Sequence, residues 1–265
     1  MGLDHEQTTS APNNQSANKA LAIIEFLSYS KEPLRLADIA AGLNYNPSTA
    51  LRFLNSLEQA GYICKDPDSL KYQMTFKICA LAYHIRLNSG LVEVTMKPIK
   101  ELSARLRECV CLAVAQNDMV VYLFSADGPY TMLKTTQRIG NTSPMHCTGV
   151  GKMILSEYSK EDVQKVIARI GMPRYTDHTL TTEEALLDEL ERIRRRGYAY
   201  DNEECEIGAR CIAFPIRDYT GKIIASLSVT GPVIRITDEF IDRNFRTIQD
   251  TVNEISYRMG YHSVY

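Results

Sequence analysis

The chain has 265 residues, 45% of them apolar and 23% charged, which is typical of a globular protein and excludes a disordered or collagen-like chain. At roughly 150 residues per domain, this length predicts about two domains. The formal net charge of −2 argues against a protein that coats nucleic acid through charge alone, but not against a small DNA-reading module.

The N-terminal sequence is polar, and no apolar run in the chain approaches the roughly eighteen residues of a membrane span. We therefore expect a cytoplasmic protein whose residues 1–15 form a flexible N-terminus. The seven cysteines are irregularly spaced and contain no C-x-x-C pair, so they do not suggest a disulfide framework or a zinc ribbon. We interpret them as buried thiols that pack like small hydrophobic groups, and we predict no metal and no cofactor.

Three helices are predicted in the first 60 residues. Apolar residues recur at helical spacing over 20–27 and again over 36–43. After a short turn, Asn46 is a suitable N-cap for a third helix, and Pro47 suits its first position because the missing N–H would be unbonded there anyway. Two short strands around a turn follow within residues 62–74. This order predicts a winged helix-turn-helix domain over residues 16–74.

The third predicted helix has two contrasting faces. Ala50, Phe53, Leu54 and Leu57 repeat at i, i+3, i+4 and i+7 and predict a buried face. The opposite face carries hydroxyl, amide and guanidinium groups, which donate to phosphates and read base edges in a major groove. We predict that this face, the helix cap and the wing contact DNA through Asn46, Ser48, Thr49, Arg52, Asn55 and Lys71.

A solvated helix face has the same appearance, so this pattern alone leaves DNA binding open. Residues 1–72 contain six basic and eight acidic side chains, so the charge of this block does not favour DNA. A single winged helix-turn-helix module with this charge is expected to bind DNA weakly by itself. We therefore expect a homodimer that reads two half-sites on double-stranded DNA, and a homotetramer by further pairing.

A helical pattern, which Ser89-Gly90 breaks near its end, predicts a linker helix over residues 75–91. Residues 92–265 alternate strands with helices. Strands are predicted at 110–115, 119–124, 130–137, 198–200, 210–216 and 222–230, with a hairpin turn at 117–118. Helices are predicted from Thr148 to about 157, over 161–170, from a capping box at Thr181 and Glu184 to Arg196, and over 238–259. Strands grouped in one sheet with helices against it indicate an α+β domain.

Features of a ligand pocket stand out more than those of an enzyme. Thr148 can cap the helix that begins at Gly149, and a helix start with small side chains attracts a small anion such as a carboxylate. Ser226, Ser228 and Thr230 alternate along one strand, so their hydroxyls share one face of the sheet. Buried hydroxyls need partners, which a bound polar ligand or other groups of the sheet can equally supply.

Two other classes stay open on the residues alone. Gly149-Val150-Gly151-Lys152 is similar to a phosphate loop, but His146 and Met153 stand where that motif needs glycine and a hydroxyl residue. One open class is a small-molecule enzyme or metal protein that uses His146 with Cys147, Cys205 and Cys211. The acidic run over 201–206 could hold a metal, although a solvated loop is favoured. The other open class is a protein–protein adaptor that does not bind DNA.

The order of motifs in both domains resembles the IclR family of bacterial transcription regulators over residues 17–245. The N-terminal motifs lie at residues 19–21, 36–40, 48–54 and 61–62, and the C-terminal ones at 145–152, 189–204, 208–216 and 225–232. The resemblance implies an α+β protein: a winged helix-turn-helix joined by a linker helix to a GAF-like α/β effector-binding domain. It implies a non-enzymatic dimer or tetramer that binds operator DNA and senses a small organic acid, often an aromatic one.

The resemblance also implies the residues of an effector pocket. Transferred position by position, they are Met132, Thr135, Ser143, Gly149, Val150, Asp201, Ala209, Cys211, Ser228 and Thr230.

Overall fold

The computed structural model describes residues 14–81, 90–129 and 139–262. The chain divides into two units, residues 1–88 and 89–265. Among the helices within these described ranges, none combines the length and the apolar character that a membrane span requires.

In the described residues, the N-terminal unit begins with three helices, which a two-stranded antiparallel sheet follows. Its elements are α1 (Gln15–Tyr29), α2 (Leu36–Gly42), α3 (Pro47–Gln59), β1 (Ile63–Lys65) and β2 (Tyr72–Met74). Side chains from all five elements form one small core, which consists of Ile23, Leu27, Ile39, Phe53, Leu54, Leu57, Ile63 and Tyr72. The predicted winged helix-turn-helix is confirmed.

The turn between α2 and α3 depends on a left-handed backbone residue. Asn44 has a φ of 53°, a conformation that asparagine tolerates better than most residues, and the Tyr45 N–H donates to the Ala40 carbonyl over 2.8 Å. Asn46 occupies the predicted N-cap position of α3, but among the described residues its side chain makes no capping hydrogen bond. The position was predicted correctly and the capping interaction was not.

The C-terminal unit is an α+β domain built on one six-stranded sheet. Its helices are α4 (Gly90–Leu106), α5 (Gly149–Leu155), α6 (Lys160–Ile170), α7 (Glu183–Arg196) and α8 (Asp238–Arg258). Its strands are β3 (Cys109–Gln116), β4 (Met119–Ala126), β5 (Thr142–Pro144), β6 (Ala199–Asn202), β7 (Ala209–Arg217) and β8 (Ile223–Pro232). They pair in the order β5-β4-β3-β8-β7-β6, antiparallel throughout these described strands.

Helices cover both faces of this sheet. Alternate residues of β3 enter different cores: Leu112 packs in the core shared with α4 and α8, whereas Cys111 and Ala113 pack in the core shared with α5, α6 and α7. Both cores consist of buried apolar side chains, so residues on the α5 face of β7 and β8 are enclosed rather than exposed to solvent. The candidate site lies on that face.

Three details differ from the predicted elements. Helix α4 was not predicted, because Gly90 was interpreted as a helix break and in fact begins the helix. Strand β5 was not predicted either. The cap of α7 is Thr182, whose Oγ1 accepts from the Ala185 N–H over 3.3 Å, and not Thr181.

Two other predictions fall partly or wholly outside the described residues. The predicted strand over 130–137 lies outside them. The structure shows a helix at residues 77–81 of the predicted linker, whose residues 82–89 are outside the described ranges. The hairpin turn at Asn117 and Asp118 is confirmed, since both have left-handed φ angles of 51° and 62°.

Candidate functional site

Helix α3 presents a polar face to solvent. Ser48, Arg52 and Asn55 are exposed and Thr49 is half-buried, whereas the residues of the opposite face are buried: Ala50, Phe53, Leu54 and Leu57. The Arg52 guanidinium carbon lies 4.9 Å from the centroid of the Phe53 ring, which supports the arginine side chain while its donors stay exposed. The helix can therefore offer hydroxyl, amide and guanidinium donors to a polyanion.

The turn between β1 and β2 forms a short wing. Its tip is ordered by Asp66, whose Oδ1 accepts from both the N–H and the hydroxyl of Ser69, each over 2.7 Å. These hydrogen bonds hold the pKa of Asp66 below its usual value. Lys65 is exposed at one side of the turn, and Lys71, which was predicted to contact DNA, is half-buried at the other.

Residues beyond the wing hold the end of α3, an arrangement that was not predicted from the sequence. Lys77 Nζ donates to the Ala60 carbonyl over 2.5 Å, and the Thr75 hydroxyl donates to the Gly61 carbonyl over 2.6 Å. A cation near the C-terminal carbonyls of a helix is favourable because it opposes the helix dipole. The exposed face of α3 is thereby fixed at its C-terminal end.

The C-terminal unit contains a cavity of about 470 Å³. It is lined by every predicted pocket residue that the structure describes: Ser143, Gly149, Val150, Asp201, Ala209, Cys211, Ser228 and Thr230. The other two predicted residues, Met132 and Thr135, lie outside the described residues. Strands β5, β6, β7 and β8 and the start of α5 thus bring eight predicted positions together.

The start of α5 packs closely against strand β7. Thr148 Oγ1 accepts from the Gly151 N–H over 3.2 Å and donates to the Pro144 carbonyl over 2.8 Å, so Thr148 caps the helix as predicted. A Cβ on Gly149 would stand 2.7 Å from Cys211 Sγ. Only glycine therefore lets the first turn of α5 approach the sheet this closely.

The hydroxyls of β8 have different surroundings. Ser226 donates to the Phe214 carbonyl over 2.9 Å and is not among the cavity-lining residues. Ser228 and Thr230 both line the cavity, with their oxygens 3.4 Å apart. For Ser226 the partner is therefore within the sheet, whereas Ser228 and Thr230 can reach a ligand.

Asp201 places a buried carboxyl on the cavity wall. Its Oδ1 accepts from the N–H groups of Glu204 and Cys205 over 2.8 and 3.4 Å. Burial raises the pKa of Asp201 to about 7. At neutral pH this carboxyl is therefore protonated in a large fraction of the molecules and can donate a hydrogen bond.

The acidic run over 201–206 is not the solvated loop that was favoured, because Asp201 and Glu204 are both buried. Lys152 Nζ pairs with Glu204 Oε1 inside the protein, and no hydrogen-bond partner of Glu204 Oε2 is found among the described residues. Burial raises the pKa of Glu204 although Lys152 opposes the shift. Within the described parts of the chain, no group of three His, Cys, Asp or Glu side chains could hold a metal ion.

The cavity lining also includes Tyr122 and Arg210, which were not predicted. Tyr122 is buried on β4, and burial raises its pKa. In the sequence Tyr122 sits in an apolar strand, where an aromatic residue is indistinguishable from core packing. Arg210 also lines the cavity, but its guanidinium donates to Asp238 Oδ1 over 2.6 Å and to the Ile236 carbonyl over 3.0 Å.

A helix-turn-helix with an exposed polar helix face, and a domain with a partly open cavity lined by polar and apolar residues, are features of a DNA-binding regulator with an effector domain. Residues 16–67 match the family model of the IclR helix-turn-helix domain, and residues 86–257 match that of the bacterial transcriptional regulator IclR C-terminal domain. The chain belongs to the IclR family, whose members are transcription regulators and not enzymes. The enzyme alternative is thereby excluded.

Similar proteins align with this chain over nearly its whole length. The transcriptional regulator KdgR of Dickeya chrysanthemi is 33% identical over 93% of this chain and 80% of its own length. The crystal structure of Thermotoga maritima IclR has a TM-score of 0.80 at 26% identity and covers 93% of this chain and 99% of that one. An IclR homologue of Microbacterium hydrocarbonoxydans, solved with 4-hydroxybenzoate, has a TM-score of 0.79 at 22% identity, covering 92% of this chain and 99% of its own.

Proposed function

We propose that this regulator controls transcription by binding operator DNA through α3 and the wing, in response to a small organic acid in its C-terminal cavity. The observation that carries the proposal is the cavity of the C-terminal unit, which is lined by the eight described residues implied by the family resemblance. Its volume of about 470 Å³ is within the range of pockets that enclose small molecules.

The DNA contacts are assigned by exposure and chemistry. Arg52 and Asn55 lie on the exposed face of α3, where a guanidinium can bind guanine and an amide can bind adenine with paired hydrogen bonds. Ser48 and Thr49 lie in the first turn of α3, Asn46 directly precedes the helix, and Lys71 lies in the wing before β2. Their side chains suit phosphate contacts that fix the helix in the groove.

Hydroxyl groups dominate the proposed ligand contacts. Ser228, Thr230 and Tyr122 present hydroxyls to the cavity, while Val150 supplies an apolar wall. Arg210 is the one cation among the described lining residues, and its guanidinium is already engaged by Asp238. We infer a small acid that carries further oxygen atoms and is bound mainly by neutral donors.

The protonation state of Asp201 affects whether the cavity favours a ligand carboxylate. An ionised Asp201 beside a ligand carboxylate would repel it, whereas the protonated carboxyl can donate a hydrogen bond to it. Because burial brings the pKa of Asp201 to about 7, protonation is accessible at physiological pH. The homologue solved with 4-hydroxybenzoate indicates that this fold can accommodate an aromatic acid.

We also infer a homodimer, with a homotetramer by further pairing, acting in the cytoplasm where operator DNA is found. The acidic excess in residues 1–72 supports pairing, since a single module with this charge gains little from non-specific attraction to DNA. Light scattering of the purified protein, alone and on DNA with two half-sites, measures the assembly. A monomer in both conditions would contradict this inference.

The ligand can be identified by a thermal-shift screen. Aliphatic hydroxy acids, dicarboxylates and aromatic acids such as 4-hydroxybenzoate are tested at several concentrations. A true ligand raises the melting temperature of the wild type in proportion to its binding and raises that of Ser228→Ala less. If no acid shifts the wild type, or if both proteins shift equally, the proposed ligand class or site is wrong.

A further inference from the structure

Two isoleucines that line the cavity also face solvent. Ile207, in the turn between β6 and β7, is 64% exposed, and Ile234, just after β8, is 72% exposed. These two residues form the apolar rim of the cavity. Isoleucine is mostly buried in folded proteins, so two exposed isoleucines at the edge of one cavity point to a contact with something that enters it.

Backbone hydrogen bonds hold the two isoleucines side by side. Beyond the last paired residues of β7 and β8, the Val233 N–H donates to the Gly208 carbonyl over 2.8 Å. Ile207 directly precedes Gly208, and Ile234 directly follows Val233. The apolar rim therefore continues the antiparallel pairing of β7 with β8.

Side-chain hydrogen bonds fix the backbone on both sides of the apolar rim. In the turn between β6 and β7, Glu203 Oε1 accepts from the Gly208 N–H over 2.7 Å. In the segment after β8, the Arg235 guanidinium donates to Oε2 of the buried Glu108 over 2.9 Å. The two isoleucines are thus held at the surface by an ordered frame.

Polar groups lie deeper in the same cavity. Ser228, Thr230 and Asp201 line it and are all buried, so the usual order of a protein surface, with apolar groups inside and polar groups outside, is reversed here. Glu206, the neighbour of Ile207, adds an exposed carboxylate to the lining. A ligand carboxylate is therefore repelled near the rim and can accept hydrogen bonds from hydroxyls inside.

We propose that the apolar rim is a subsite for the hydrocarbon end of an amphipathic acid, which binds with its carboxylate inward and its hydrocarbon end against Ile207 and Ile234. This inference rests on the proposed function and specifies the class and orientation of its ligand. A hydrocarbon end and the two isoleucines remove each other from water. Hydroxyl groups at the same place would lose water and gain no partner from isoleucine side chains, so the rim disfavours polyhydroxylated acids.

A series of 2-hydroxy acids tests the apolar rim because its members share one polar end. Lactate, 2-hydroxybutyrate, 2-hydroxyvalerate and 2-hydroxyhexanoate are titrated into the full chain by calorimetry. Each added methylene that the rim buries should raise the affinity by roughly fourfold. Gluconate has the same carbon number as 2-hydroxyhexanoate but carries hydroxyls along its chain, and it should bind more weakly than 2-hydroxyhexanoate.

The double variant Ile207→Ser/Ile234→Ser removes the apolar rim and keeps the buried hydroxyls. The gain per added carbon should fall from roughly fourfold to about twofold or less. Ile170→Ser is the matched control, because Ile170 is an exposed isoleucine of α6 that is not among the described residues lining the cavity. This control should keep the full gain. Circular dichroism confirms folding, and light scattering compares the assembly of each variant with that of the wild type.

Three results overturn this inference and leave the proposed function standing. The wild type could bind all four acids equally or prefer gluconate to 2-hydroxyhexanoate, so that the rim does not select the ligand. The double variant could keep the full gain per carbon, so that the hydrocarbon end lies elsewhere. The double variant could instead change the assembly, so that the rim is a contact between copies of the chain. If no acid of the series or of the thermal-shift screen binds, the proposed function fails together with the inference.

Discussion

Gly149 and Cys211 approach each other so closely that a Cβ on Gly149 would lie 2.7 Å from the cysteine sulfur. The same glycine would place that Cβ 3.4 Å from the Cβ of Ala213 and from the Asp201 backbone nitrogen. This contact brings the start of α5 onto strand β7, and the two elements then share one cavity. The absence of a side chain at position 149 is therefore a determinant of the cavity wall.

The Gly149→Ala substitution should disturb this wall. A methyl group has no space beside Cys211, so we expect the folded state to lose about 1–3 kcal/mol, as in other overpacked cores. Ligand affinity should also fall. Urea denaturation and ligand titration measure the two effects.

The double variant Gly149→Ala/Cys211→Ala is the control for this steric explanation. Removing the sulfur frees the space that the new methyl group needs, so stability should recover relative to Gly149→Ala, once the effect of Cys211→Ala alone is subtracted. If the two substitutions are simply additive, the close contact is not the cause of the loss.

Substitution of Ser228 separates binding from folding. Ser228→Ala removes a hydroxyl that lines the cavity, and the loss of one hydrogen bond should weaken ligand binding by about 1 kcal/mol, or roughly fivefold. Ser226→Ala is a matched control on the same strand, because Ser226 donates to the Phe214 carbonyl and does not line the cavity. Calorimetric titration should show weaker binding in the first variant and unchanged affinity in the second. The reverse pattern would contradict the assignment.

Arg52 is predicted to read a base in the operator. Arg52→Ala should weaken operator binding by about 1–3 kcal/mol, and Arg52→Lys should restore little of this if the guanidinium makes two parallel hydrogen bonds to one base. Lys97→Ala removes the same charge from an exposed position of α4 and serves as the control. Fluorescence anisotropy gives the affinities. Full recovery with lysine would indicate a phosphate contact instead.

Asp201 predicts a dependence of stability on pH. Its folded-state pKa of about 7 lies above the ordinary value of 3.8, so the folded protein binds more protons between these pH values than the unfolded chain does. The contribution of this group to stability therefore falls as pH rises from about 4 to about 7 and is constant above that range.

Asp201→Asn keeps an oxygen that can accept the Glu204 and Cys205 N–H groups but removes the titration. Urea unfolding across this pH range should show a smaller decline in stability for the variant than for the wild type. Parallel stability profiles would show that Asp201 does not carry a raised pKa.

The buried ion pair of Lys152 and Glu204 should be sensitive to the loss of one partner. Lys152→Met leaves a buried carboxylate without its cation, and we expect a loss of about 3–5 kcal/mol in unfolding free energy. Lys152→Met/Glu204→Gln removes both charges and should recover much of that loss. Thermal unfolding measures the stability of the two variants. Equal destabilisation would mean that the unpaired charge of Glu204 is not the cause of the loss.

The sequence predicted those parts of the fold that local patterns encode. The repeat of Ala50, Phe53, Leu54 and Leu57 predicted α3. Helix α7 ends at Arg196 as predicted, directly before Gly197 with its left-handed φ of 81°. Helix α4 was not predicted, because Gly90 at a helix start looks like a break when only neighbouring residues are considered.

Local patterns pointed to the start of α5 and to the hydroxyls of Ser228 and Thr230, and the family resemblance supplied the other positions of the candidate site. The eight described pocket residues come from five helices and strands, and nothing in their local spacing indicates that they share a cavity. The burial of Lys152 with Glu204 joins residues more than 50 positions apart. Such contacts depend on how β6, β7 and α5 pack, which no local pattern reports.

The central claim is that a small acid in the C-terminal cavity controls operator binding through α3. The most direct test is nuclease footprinting of the full chain on the DNA upstream of its own gene, with and without the acid found by thermal shift. We predict a protected site in wild type that Arg52→Ala loses, and an occupancy that the acid changes in wild type but much less in Ser228→Ala. Protection that is absent, or identical in all three proteins and unaffected by the acid, would contradict the account.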